Sequence, residues 1–241
     1  MRSATLSPYD LSMRAGRAAI GASCFVACYY GVQALGPVAT RINPALPIDW
    51  RLPCVPAMAW VYAIGVLWPF ALAFLLPRYL VDRGLAAFVV LSAMAGILFL
   101  AFPTDGSALR AQCAAATGGV LGLVERLDPP VNLMPSLHVG YAVLTALWLR
   151  HAGSRWRWLA VAMAALQMVA VCLTKQHFLA DAAAGALLAL IAYRLAAIGS
   201  AGREGISDSQ PCRSRKPTMR PAITSSDGSG KVPGIVARAE R

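Results

Sequence analysis

Six apolar runs of near-bilayer length set what this chain can fold into before any motif is considered. Residues 18–38, 55–76, 84–103, 133–149 and 158–174 contain no Asp, Glu, Lys or Arg. A sixth run, 178–198, is interrupted only by Asp181 near its start and Arg194 near its end. An α-helix needs about 20 residues to cross the hydrocarbon layer, so the fourth and fifth runs are at the short limit. Backbone groups in lipid have to be satisfied within the segment, which leaves helices. The expected fold is all-α, a polytopic membrane protein built as a six-transmembrane-helix bundle. Charged residues make up 14% of the chain, against roughly a quarter in soluble domains. The first apolar run exceeds the ~7–15 residues of a signal-peptide core, so it reads as a retained span.

The formal net charge of +11 invites a nucleic-acid reading, but its distribution argues against one. With the N-terminus in the cytoplasm, eight Lys/Arg before residue 158 fall on inside segments. Five, including Arg110 and Lys175, fall outside, and nine more follow from Arg194 on the inside. That bias fits the positive-inside rule with both termini cytoplasmic. The expected location is a bacterial inner (plasma) membrane, with no nucleic-acid partner. Residues 1–17 read as a short basic cytoplasmic lead, 18–198 as the six-helix membrane domain, and 199–241 as a disordered basic tail rich in Ser, Gly, Pro and Arg. Within the connection 104–132, AQCAAATGGVLGLV is too short to span comfortably and fits a helix at or dipping into the outer surface. Cys54 and Cys113 both fall on outside segments, which leaves a disulfide open.

Two short stretches carry the chemistry. In MPSLHVGYAV (134–143), Ser136 is a natural N-cap and His138 sits in the first turn of the fourth span. In LTKQHFLADAAAGALLA (173–189), His177 and Asp181 are four residues apart and share a helix face, with Lys175 just ahead. One returning span separates the stretches, so both lie at the outer face. His151, thirteen helical residues after His138, lies about 20 Å away on the other side. An Asp beside a His fixes the imidazole tautomer and frees its second nitrogen as a nucleophile or base. A helix N-terminus attracts phosphate. Pro-Ser before a helix is also ordinary capping, and a hydrated interfacial His and Asp need have no role. Together on one face, with few other ionisable groups in the spans, they point to phosphoryl transfer through a phosphohistidine.

MPSLHV followed some forty residues later by TKQHFLAD resembles the second and third signature motifs of the type-2 phosphatidic acid phosphatase superfamily. The Ser-Leu-His and Gln-His-aromatic forms look most like its inositol-phosphorylceramide-synthase-like (inositolphosphotransferase) branch, over roughly residues 55–195. The resemblance implies that His177 is the nucleophile, Asp181 its orienting partner and His138 the general acid. Ser136 would hold a phosphate oxygen, with Lys175 and Arg110 as further phosphate-binding groups. The family's first motif departs here: FPTDGSALRA offers Arg110 without a following Pro, and Pro103 occupies the expected lysine position. Val171 stands where the third motif ordinarily has Arg. The implied substrate is a lipid phosphate or lipid pyrophosphate, with no cofactor and no metal. Water as acceptor makes the protein a phosphatase; a lipid alcohol as acceptor makes it an inositol-phosphate-type phosphotransferase. Two His and a carboxylate could instead hold a metal such as Fe(II). A channel or scaffold with a polar vestibule fits less well, because the polar set is sparse and one-sided.

Overall fold

The computed structural model describes the backbone of residues 7–36, 40–116 and 118–207. The chain runs α1 (Pro8–Leu35), α2 (Pro47–Arg51), α3 (Met58–Leu75), α4 (Arg78–Ala101), α5 (Ser107–Arg110), a 3-10 turn (Ala111–Ala116), α6 (Gly119–Leu127), α7 (Leu137–His151), α8 (Arg157–Leu173) and α9 (Leu179–Ser207). Among the described residues there is no strand, only isolated bridges joining Ile42 to Thr104 and Asp105 to Val131. Three helices are long and apolar enough to cross a membrane: Pro8–Leu35, Arg78–Ala101 and Leu179–Ala197. Met58–Phe70 and Arg157–Leu173 are shorter apolar helices.

The basic lead differs from the expectation, because helix begins within it at Pro8. The Ser7 hydroxyl accepts from the Asp10 N–H at 3.1 Å, and proline at the first helical position costs no hydrogen bond. Arg14 is buried and donates to the Ala73 and Leu76 carbonyls at 2.7 and 2.9 Å, satisfying the end of α3. The last helix likewise continues to Ser207, and the expected tail from 208 onward lies outside the described residues, as do residues 1–6.

Helix α7 is the centre of the bundle, packed against α3, α4, α8 and α9, with eleven of its fifteen residues buried. At fifteen residues it is only ~22 Å long. Just ahead of it, Asn132, Leu133, Pro135 and Ser136 are buried in protein. Antiparallel order brings the start of α7, the end of α8 and the start of α9 to one end of the bundle. The long connections 102–136 and 40–57 close over that end. Cys54 and Cys113 are bonded, with Cα atoms 5.6 Å apart, which ties the 3-10 turn to the segment entering α3. Between Arg110 and Glu125, where one helix is expected, this turn is followed by α6.

Candidate active site

The end of the bundle under these connections holds a cluster of buried polar side chains: Asp49, Thr104, Arg110, Asp128, Ser136, His138, Lys175, His177 and Asp181. Burying so many polar groups is unfavourable unless each has a partner, so the partners define the site.

His177 lies on the turn ahead of α9. Its Nδ1 is 3.1 Å from the Leu133 carbonyl, which assigns an N–H to Nδ1 and makes Nε2 the acceptor of the neutral ring. The Leu133 carbonyl is itself held, since the buried Thr104 hydroxyl oxygen accepts from the Leu133 N–H at 2.6 Å and from Met134 N–H at 3.3 Å. Asp181 lies 3.6 Å from His177 Nδ1, beyond hydrogen-bond length, and its Oδ2 accepts from the Phe178 N–H at 2.9 Å. The carboxyl group therefore sits beside the imidazole without bonding it and caps the turn into α9, while a backbone carbonyl fixes the tautomer. Asp181 Oδ1 is buried with no hydrogen-bond partner among the described residues.

His138 faces this nitrogen: its Nδ1 is 3.2 Å from His177 Nε2. Ser136 caps α7 through a long 3.5 Å contact from the Val139 N–H, and its own N–H donates to the Asp181 carbonyl at 3.0 Å. That bond locks the start of α7 to α9. The close approach depends on Gly185, one turn after Asp181 on α9: a Cβ there would collide with the Ser136 carbonyl. Gly185→Ala is accordingly expected to lower stability by about 1–3 kcal/mol and to reduce activity, since it pushes apart the two backbones that carry the histidines. Thermal unfolding in detergent checks this; an unchanged midpoint would contradict the contact.

The two remaining expected phosphate ligands are engaged with protein. Lys175 has left-handed backbone (φ 59°), and its ammonium donates to the Asp49 carbonyl at 2.6 Å. Asp49 in turn accepts from the Leu179 N–H at 2.9 Å, so α2 and Lys175 clamp the start of α9. Arg110 is buried beside Asp128, donating to its carbonyl and lying 3.8 Å from its carboxylate, while Arg110 Nε has no partner among the described residues. His151 lies at the opposite end of α7, exposed, with Nδ1 2.9 Å from the Tyr193 hydroxyl.

Two side chains that the sequence did not flag complete the cluster. Asp128, just after α6, accepts hydrogen bonds from the Tyr29 and Tyr62 hydroxyls. Tyr62, from α3, also lies 3.0 Å from His138 Nε2 and 3.2 Å from Nδ1. Burial alone would push the Asp128 carboxyl up, but His138, His177 and Arg110 outweigh it and hold the group below its ordinary value. Asp128 thus accepts from two phenols beside a guanidinium, surroundings that suit a carboxylate.

Asp128, His138 and His177 each offer a ligand atom, all within 4.8 Å of one another. Two imidazoles and a carboxylate are a set that a first-row transition metal accepts. Here the carboxylate oxygens already accept from two phenols and face a guanidinium, so ligation would have to displace those bonds beside a fixed positive charge. The set fits a hydrogen-bonded relay better than a metal centre.

A family model described as the PAP2 superfamily matches residues 53–195, more than half of the chain, and spans both histidine-bearing stretches. Comparisons with curated proteins and with solved structures return no match.

Proposed function

The chain belongs to the PAP2 superfamily, and on that footing we propose that it is an integral-membrane lipid phosphate phosphatase working through a phosphohistidine. The observation that carries this reading is the facing pair of imidazole nitrogens. His177 Nε2, left bare because Nδ1 donates to Leu133, points at His138 Nδ1 across 3.2 Å. At 3.2 Å the two rings are within hydrogen-bond reach of each other, and a phosphoryl group that parts them meets a nucleophile on one side and a proton donor on the other. His177 Nε2 attacks phosphorus, the P–O bond to the lipid alcohol breaks, and His138 protonates the departing oxygen. Water then attacks the phosphohistidine with His138 taking its proton, the N–P bond breaks, and inorganic phosphate leaves. A lipid pyrophosphate would follow the same course, with a lipid phosphate as leaving group.

Ser136 and the first-turn N–H groups of α7 are the proposed binding site for the non-bridging oxygens. Arg110 adds positive charge from beside Asp128, whereas the Lys175 ammonium, bonded to Asp49, helps mainly by shaping the turn that presents His177. The six-span topology extends the three long apolar helices by α3, α7 and α8, which alternate in direction with them. The Lys/Arg bias supports an outer-face site with both termini cytoplasmic. The Cys54–Cys113 bond at the same end supports it too, because disulfides persist in oxidising compartments. The inositol-phosphorylceramide-synthase-like assignment rests on the Ser-Leu-His and Gln-His-Phe residues alone.

The test is to incubate purified protein in vesicles with lipid phosphate labelled in the phosphate. Release of free phosphate, undiminished by a strong chelator, is expected. Label moving into a new lipid would make the acceptor an alcohol, chelator-sensitive turnover would make the site a metal centre, and no turnover would remove the reading. In sealed cells, an impermeant thiol reagent should label Ser107→Cys but not Ser154→Cys.

A further inference from the structure

The geometry of displacement at phosphorus decides where the lipid chain must lie. Attacking and leaving atoms stand roughly in line, so the oxygen departs from the face opposite the nucleophile. With His177 attacking, the alkoxide and the hydrocarbon attached to it fall on the His138 side. A cleft lined by His138, and not by His177, is bounded by Phe25 of α1, by Gly65, Val66 and Phe70 of α3, and by Tyr141 one turn along α7. Phe25, Val66 and Phe70 are half-buried, so the cleft opens at the surface between α1 and α3. It is narrow, about 10 Å³, and a second cleft of about 40 Å³ shares Phe70 with it. That one follows α1 through Gly21 and Ala18 to Arg17, against Pro69 and Ala73 of α3. From Phe25 to Arg17 the seam runs ~12 Å along the helix.

The walls next to His138 have no hydrogen to give. The Ser92 hydroxyl donates to the Phe88 carbonyl at 2.8 Å, so across 2.6 Å it accepts from Tyr141, whose one hydroxyl hydrogen is thereby used. Phe25, Val66 and Phe70 offer only carbon. An ester oxygen buried there would be left without a partner, whereas methylenes gain from the same surroundings.

We propose that the seam between α1 and α3 holds the hydrocarbon chain of the substrate, and that the substrate is a single-chain alkyl phosphate whose hydrocarbon begins at the phosphate oxygen. The inference rests on the phosphatase reading and deepens it. The chain enters sideways from the bilayer and displaces the half-buried rings of Phe25 and Phe70, with its phosphate drawn up between the histidines. Helix α1 suits this passage, because it is tied mainly at its ends: Arg14 bonds to the last carbonyls of α3, and Tyr29 to Asp128. Phe25 lies between these ties. A diacylglycerol phosphate would instead place its ester groups against the carbon walls beside His138. A larger groove of about 300 Å³ lies between α4 and α9, where Leu98, Leu187 and Ile191 meet Met134 and Pro135. Neither histidine lines it, so it provides the comparison.

The experiment locates the chain and then reads its contribution. Wild-type protein in vesicles is given a long-chain alkyl phosphonate, whose C–P bond resists displacement, carrying a photoactivatable diazirine in the chain. Irradiation should label peptides holding Phe25, Val66 or Phe70. Label on Leu98, Leu187 or Ile191, or spread evenly over every lipid-facing helix, would overturn the inference. Phosphate release is then followed from hexadecyl phosphate, butyl phosphate and dipalmitoyl phosphatidate. kcat/KM for hexadecyl phosphate should exceed that for the phosphatidate by about 10-fold, the cost of one unpaired buried acceptor. Val66→Phe fills the seam and should cut the preference for hexadecyl over butyl phosphate about 10-fold. Ala184→Phe, in the other groove, should keep that preference. An unchanged preference in Val66→Phe, a loss confined to Ala184→Phe, or faster turnover of the phosphatidate would each overturn the inference while upholding the phosphatase. No phosphate released from any of the three, and no phosphoenzyme, would remove both readings together.

Discussion

His177→Ala is expected to abolish every trace of phosphoryl-enzyme and nearly all turnover. Among the described residues, no other nucleophile is presented as His177 Nε2 is. His138 is the neighbouring imidazole, but the Tyr62 hydroxyl lies against both its nitrogens, and its Nδ1 faces the space that the missing ring would leave. Water activated by His138 alone would give slow hydrolysis without a covalent intermediate, so the intermediate is the more stringent readout. Acid-labile phosphate should be trapped on the wild-type protein after a millisecond quench and be missing from the variant. Undiminished trapping in His177→Ala would sink the assignment. The fold should survive, because His177 packs through its Leu133 bond in a turn whose shape is also held by Lys175, Asp49 and the Phe178–Asp181 cap.

The parts of this site that were legible in the sequence are the parts that are local. His177 and Asp181 are four residues apart, and Ser136 precedes His138 by two, so spacing and capping rules bring each pair together without tertiary information. The shared end of the bundle followed from counting spans. What sequence missed arrives from elements far apart in the chain: Tyr29 and Tyr62 from the first and third helices, Asp128 from the connection after α6, Thr104 from the connection after α4. An Asp before two prolines reads as a turn, and a tyrosine in an apolar run reads as packing. Only burial next to an imidazole gives either a further meaning. The same limit explains Asp181. Spacing of four residues brings it to the same face as His177, but it cannot tell that the carboxylate turns to the Phe178 N–H and leaves Nδ1 to a backbone carbonyl. Apolar run length, likewise, revealed the helices but not that α7 is short because it is central, nor that Arg14 in the basic lead caps α3.

His138→Ala should leave a slower enzyme, and the size of its loss should depend on the leaving group. Removing a general acid typically costs about 100- to 10,000-fold. A lipid alkoxide is a strong base and a poor leaving group, so the full loss is expected there. A nitrophenolate departs without help, so phosphorylation of His177 by its phosphate ester should fall far less. The second half-reaction behaves differently, because water attacking the phosphohistidine still needs a base whatever the first leaving group was. With the nitrophenyl ester, His138→Ala should therefore release a burst of nitrophenol close to one per protein and then stall, with phosphoenzyme accumulating. No such burst is expected in His177→Ala, which cannot form the intermediate. This separates two histidines whose nitrogens stand only 3.2 Å apart and whose simple activity losses would look alike. His151→Ala should match the wild type on both esters, since that ring is exposed at the far end of α7 and bonded to Tyr193. A His138→Ala protein equally slow on both esters, with no burst, would show that His138 shapes the site without moving a proton.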